Sequence, residues 1–180
     1  GIEHIPYMSS LDEDIQVYLS AERKEWIQAV GEVMVHSKLF TSEDISMVTY
    51  EEFAIFCRNY GLNSYEEARN INREFYLQMQ IADYILNNND RHEQNWGFLM
   101  ENATGKLIGY CPLFDHDHAF VPYDNVLSQT TEETSTLLEA ALEAQKELKM
   151  DMTKLFEMDC PTLLSEKQWE EVLNRVRKIM

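Results

Sequence analysis

The feature that most narrows the fold is a change of texture at Asn87-Asn88-Asn89. Upstream, Phe75, Leu77, Met79, Ile81, Ile85 and Leu86 belong to an apolar segment of helical character. Three consecutive asparagines end it, because their side chains compete for backbone hydrogen bonds. Downstream, Trp96-Gly97-Phe98-Leu99-Met100 is short and aromatic, residues 101–105 form a turn, and 106–114 is strand-like again. The pattern predicts a β-hairpin inside a chain that otherwise reads as helices. Ser10 with Glu13, Thr49 with Glu52, Ser64 with Glu67 and Ser165 with Gln168 all have the spacing of a reciprocal N-cap. The first opens a helix carrying Leu11, Ile15, Trp26, Ile27, Val30 and Met34, and the second a short helix that stops near Gly61. The third opens the helix that fails at the asparagines, and the last an amphipathic helix bearing Trp169, Val172, Val176 and Ile179. Another helix is expected from about Glu132 to Met150, with its acidic 132–147 run as a solvated face. The expected class is mainly α with a small β-hairpin.

Charge and cysteine content exclude several functions. The 180 residues hold 15 Lys and Arg against 32 Asp and Glu, a net charge of −17. Generic binding to a nucleic-acid backbone needs clustered cations to displace counterions, and an anionic membrane surface needs them too, so neither is expected. A hydrophobic fraction of 44% with 8 Phe, 9 Tyr and 3 Trp is enough for a sizeable core. Cys57, Cys111 and Cys160 are odd in number and widely spaced, which suits a reducing, cytoplasmic setting better than a disulfide framework or a cysteine-rich zinc site. No apolar run is long enough to span a bilayer.

The stretch that carries chemistry is Asp90-Arg91-His92-Glu93-Gln94-Asn95, then the hairpin, then Phe114-Asp115-His116-Asp117-His118. Kinase-type phosphoryl transfer uses a loop aspartate to accept the proton of the attacking hydroxyl, an asparagine five residues on to hold Mg²⁺, and an aspartate beyond a short β-hairpin that holds Mg²⁺ as well. A hairpin returns its far end to within about 5 Å of its start. Asn95 and Asp115 are therefore expected to meet, offering the hard oxygens that Mg²⁺ prefers.

At Asn89 to Phe98 and Pro112-Leu113-Phe114-Asp115 the chain resembles the C-terminal catalytic region of HipA-like serine/threonine kinases. More distantly it is similar to the D-R-H-x-x-N loop of phosphoinositide kinases. The resemblance centres on residues 87–120 and implies a kinase-like C-lobe over the whole of 1–180. It implies Asp90 as the catalytic aspartate, Asn95 and Asp115 as magnesium ligands, ATP as phosphoryl donor, a protein Ser/Thr hydroxyl as acceptor, and an antitoxin-like partner. Two departures stand out. Asp115-His116-Asp117 lacks the glycine of the usual Asp-Phe-Gly or Asp-Asn-Gly, and no glycine-rich loop or ATP-anchoring lysine marks an N-lobe.

Other readings attach to the same residues. Were 115–118 extended, Asp115 and Asp117 would share one face, so that Asp117 could join the magnesium shell, and His116 and His118 the other. His92 is read as stabilising the loop, and Arg91 as pairing with Asp90, Asp115 or a phosphate, or as part of a structural salt bridge. A nucleotide- or partner-binding module without turnover is one alternative. A helical metal-dependent phosphohydrolase using His92 and His116-Asp117 is another. The segment 44–53 resembles the exit of a calcium loop, but with Glu52 as the twelfth loop residue Ser46 stands where glycine is needed, so core helix is expected there.

Overall fold

A computed structural model describes residues 7–9, 35–37, 39–116, 118–120, 126–132, 135–161 and 164–180. The helix expected from Ser10 to Met34 lies outside them. A short antiparallel pair, β1 (Tyr7–Ser9) and β2 (Val35–Ser37), aligns Met8 with His36. The main body follows as β3 (Ile45–Thr49), α1 (Tyr50–Asn59), α2 (Ser64–Ile71), α3 (Arg73–Leu86), β4 (Gly97–Glu101), β5 (Lys106–Tyr110), α4 (Leu137–Leu148), a 3₁₀ turn (Thr153–Glu157) and α5 (Glu166–Ile179). Mainly α with a small sheet is the observed class.

Local chemistry sets most of these boundaries. Thr49 and Glu52 form the expected capping box, as do Ser165 and Gln168. Each box gives two of the unpaired amides at a helix start a side-chain acceptor. Two helices begin elsewhere than expected. Asn63, not Ser64, caps α2, accepting from the amides of Tyr65 and Glu66, while the Ser64 hydroxyl is drawn instead to the Tyr50 hydroxyl at 2.8 Å. The helix expected to run unbroken from Ser64 divides at Asn72, whose extended backbone ends α2 and whose side chain caps α3 through the Phe75 amide. The helix expected from Glu132 starts at Leu137, behind a capping box of Thr136 and Glu139.

The hairpin is present, and it has a third strand. β3 pairs antiparallel with β4, matching Val48 to Phe98 and Thr49 to Gly97, and β4 pairs with β5. Residues 45–49, expected as core helix, are therefore an edge strand leading into α1. Gly97 makes that pairing close: a Cβ there would lie 2.2 Å from the Val48 carbonyl oxygen. One face of the sheet carries an aromatic stack. Trp96 lies flat against Tyr50 at 4.1 Å between centroids and parallel to Tyr110 at 6.3 Å, while Phe98 tilts against Phe53 and Tyr110. Beneath it α3 packs on α4 and α5. Ala140, Ala141 and Ala144 of α4 and Tyr76, Leu77 and Ile81 of α3 are buried, and Trp169, Val172, Val176 and Ile179 of α5 complete the buried set. The three cysteines are unpaired, and among the described residues no helix is long and apolar enough to cross a membrane.

Candidate functional site

The signature loop leaves α3 through Asn87, whose left-handed backbone (φ +50°) turns the chain out of the helix. Asn88 is fully buried and doubles back on Asp83, its amide donating to the Asp83 carbonyl at 2.8 Å and its side chain to Oδ1 at 3.1 Å. The start of α1 holds the other end of the loop. The Tyr50 amide donates to the Trp96 carbonyl and the Glu51 amide to that of Glu93, so two helix-start amides that lack intrahelical partners find them in the loop. Gln94 adds a side-chain bond to Glu51 at 2.8 Å.

Arg91 lies at the centre. It is 1% exposed and faces Asp83, also 1% exposed, with Nη2 to Oδ1 at 2.9 Å. Its Nη1 donates to two backbone carbonyls, Asn95 at 2.9 Å and Phe114 at 2.7 Å. Those carbonyls belong to Asn95, two residues before β4, and to Phe114, the residue just before Asp115. One guanidinium thus fixes both ends of the hairpin to a common point. Its structural partner is Asp83, which the spacing of the sequence did not single out: a carboxylate on a buried helix face has no local signature, and only packing reveals its use.

Asp90 is half-buried at the loop's start, and its carbonyl accepts from Asn95 Nδ2 at 2.7 Å. That bond takes the amide nitrogen of Asn95 and leaves Oδ1 as the atom this buried side chain can offer a cation. Asp115 adopts a left-handed backbone, φ +56°, where non-glycine residues are uncommon. The alternation expected of an extended 115–118 segment does not apply from such a start. Asp117 lies outside the described residues, and His118 is exposed.

An amide oxygen and a carboxylate are a donor set that suits Mg²⁺, which binds through one or two protein oxygens and completes its shell with water and phosphate. The histidines are differently engaged. His116 Nε2 lies 2.9 Å from Arg91 Nη2 and, facing a guanidinium, must accept. His92 Nδ1 accepts from the Gln94 amide at 3.2 Å. Among the described residues no three His, Cys, Asp or Glu side chains converge as a metal cluster.

The platform under the loop is buried and largely aromatic. Burial pushes the Tyr50 and Tyr110 hydroxyls upward in pKa, keeping them neutral, and Tyr110 donates to the Ala68 carbonyl at 2.6 Å. The Cys111 thiol, also buried, is pushed up to about 11 and bonds the Gly97 carbonyl.

Comparison with solved structures bears on the fold. The chain is similar to the crystal structure of the Helicobacter pylori proinflammatory kinase CtkA, with a TM-score of 0.63 and 18% identity over 99% of this chain and 75% of that one. The fold is kinase-like. No family model and no curated protein sequence matches the chain. The likeness therefore lives in the backbone far more than in the sequence.

Proposed function

We propose that this chain carries the C-terminal catalytic lobe of a HipA-like kinase, which moves the γ-phosphoryl group of ATP to a serine or threonine hydroxyl of a protein. One observation carries the reading: Arg91 Nη1 holds the carbonyls of Asn95 and Phe114 together, bringing the two flanks of the signature to a single donor. The kinase-like fold supports it independently. Asn95 Oδ1 and the Asp115 carboxylate are the groups that would hold Mg²⁺, which when bound supplies positive charge against the phosphates. Asp90 would orient the acceptor hydroxyl and take its proton on the carboxylate. The rest of the chain's contribution is positioning, since this reaction asks mainly for placed groups and fixed charge.

Incubation with γ-labelled ATP and Mg²⁺ is expected to label the chain or an added protein substrate. Asp90→Ala is expected to lower transfer by at least about a hundredfold, the scale of a lost general base. Transfer that survives Asp90→Ala at the wild-type rate removes the reading. A second reading, a nucleotide-binding module without turnover, is favoured by His116. It follows Asp115 in a segment that has no glycine where the family has Asp-Phe-Gly or Asp-Asn-Gly, and its bond to the buried Arg91 ties that segment down. Magnesium-dependent ATP binding in calorimetry, with no phosphate transferred, selects the module.

A further inference from the structure

A cleft of about 400 Å³ opens between α2, α3 and α4, and none of the described signature residues lines it. Its volume is in the range of ligand sites, roughly 300–1,000 Å³. Tyr65 and Tyr76 contribute aromatic walls, and the buried Gln80 lines it beside Tyr76, to whose hydroxyl it is hydrogen-bonded. On α4, Glu139 and Glu143 are four residues apart and so share a helix face. Both are exposed, and the exposed Glu66 of α2 joins them in the lining. Among the described residues that line it the one cation is Arg69, and Glu147 already engages it at 2.7 Å. The charge left over is negative.

We propose that this cleft binds an arginine- or lysine-rich segment of the phosphoacceptor protein, a proposal that takes the acceptor's identity from the kinase reading above. Three observations converge. A nucleotide or phosphate entering here meets more carboxylates than cations, even though Glu143 pairs with Lys146 at 3.8 Å on the exposed surface and Glu139 also caps its own helix, whereas a guanidinium or ammonium meets carboxylates and aromatic rings that both attract it. The cleft is open to solvent, which suits a continuous chain. It also adjoins the candidate catalytic loop. The Tyr76 hydroxyl donates to the Thr130 carbonyl, and the neighbouring Gln129 side chain donates to the Asn89 carbonyl at 3.3 Å, next to Asp90. A peptide seated between Tyr65 and Glu143 thus lies one short segment from the place where its hydroxyl would react.

The test is fluorescence anisotropy of a labelled arginine-rich serine peptide against the full chain without nucleotide. Glu66→Lys combined with Glu143→Lys, both at exposed positions, is expected to weaken binding by at least about tenfold, and the matching aspartate-rich peptide is expected to bind the doubly reversed chain better than the wild type. Equal affinity for arginine-rich and aspartate-rich peptides, or affinity unmoved by the double reversal, overturns the proposal. So does displacement by spermidine at the peptide's own affinity, which would make a small polycation the occupant. The two readings fail separately. Peptide binding retained in a wild-type chain that transfers no phosphate keeps the cleft and removes the kinase. Transfer to peptides with an unchanged KM in the doubly reversed chain removes the cleft and keeps the kinase.

Discussion

The two ends of α3 carry ion pairs of opposite kinds. At its C-terminal end Asp83 and Arg91 are each 1% exposed, and the guanidinium gives its remaining donors to the Asn95 and Phe114 carbonyls and to His116. At its N-terminal end Arg73 and Arg69 share Glu147 in the open, with side chains 61%, 39% and 32% exposed. A buried pair has no water to fall back on, so its geometry is enforced. An exposed one exchanges partners with solvent at little cost. The first kind suits a loop whose groups must be held to a fraction of an ångström, and the second suits the rim of a cleft that must accept a foreign cation.

The largest test of that contrast is Arg91→Met. It strands the Asp83 carboxylate in the core and frees two hairpin carbonyls, and the expected loss is about 3–5 kcal/mol, the range for breaking a buried pair from one side. Urea denaturation measures it. A loss below about 1 kcal/mol would mean that Asp83 finds water or another donor, and the two ends of α3 would no longer differ in kind. Gly97→Ala probes the same region by shape alone. Its Cβ would meet the Val48 carbonyl oxygen at 2.2 Å, so β3 must move away from β4. An expected cost of about 1–3 kcal/mol follows from overpacking a closely fitted contact. Faster amide exchange at Tyr50, whose N–H bonds the Trp96 carbonyl, should accompany it. An unchanged Tyr50 amide would show that strand and loop are held independently.

What the sequence revealed follows the range of the interactions involved. The capping boxes at Thr49 and Ser165 were legible because both partners lie within one turn. The hairpin was legible because its turn joins adjacent segments. β3 was not, because its partner β4 lies far along the chain and its own five residues run straight into a helix cap. The break at Asn72 was hidden inside an apolar periodic pattern, where one asparagine reads as a tolerated surface residue until its backbone is seen to be extended. The spacing of Asp90, Asn95 and Asp115 could be read, together with the family it resembles. Asp83 could not, and neither could the engagement of His116 with Arg91, since each depends on which surfaces pack together. The cleft is a tertiary product of the same sort. Glu139, Glu143 and Glu147 read as a solvated stripe, which they largely are, and only the approach of α2 and α3 makes one side of that stripe a wall.

The smallest expected effect belongs to the exposed end of α3. Hydrogen bonding from Arg73, with Arg69 beside it, holds the Glu147 carboxyl below its usual pKa, so the folded state gives up this charge at lower pH than the unfolded chain does. A carboxylate lowered in the folded state contributes stability that is present above its unfolded pKa and is lost as pH falls through the folded one. Glu147→Gln is therefore expected to leave the urea midpoint at pH 7 close to the wild-type value, because screening by water leaves the pair little to contribute. The same substitution should flatten the decline in stability below the ordinary carboxylate range. Added salt should shrink that difference, since exposed charges are screened within about 10 Å at roughly 0.1 M. A midpoint at pH 7 that falls as far as in Arg91→Met would show Glu147 to be held as firmly as Asp83, and the cleft rim would then be a rigid fixture instead of an adaptable one.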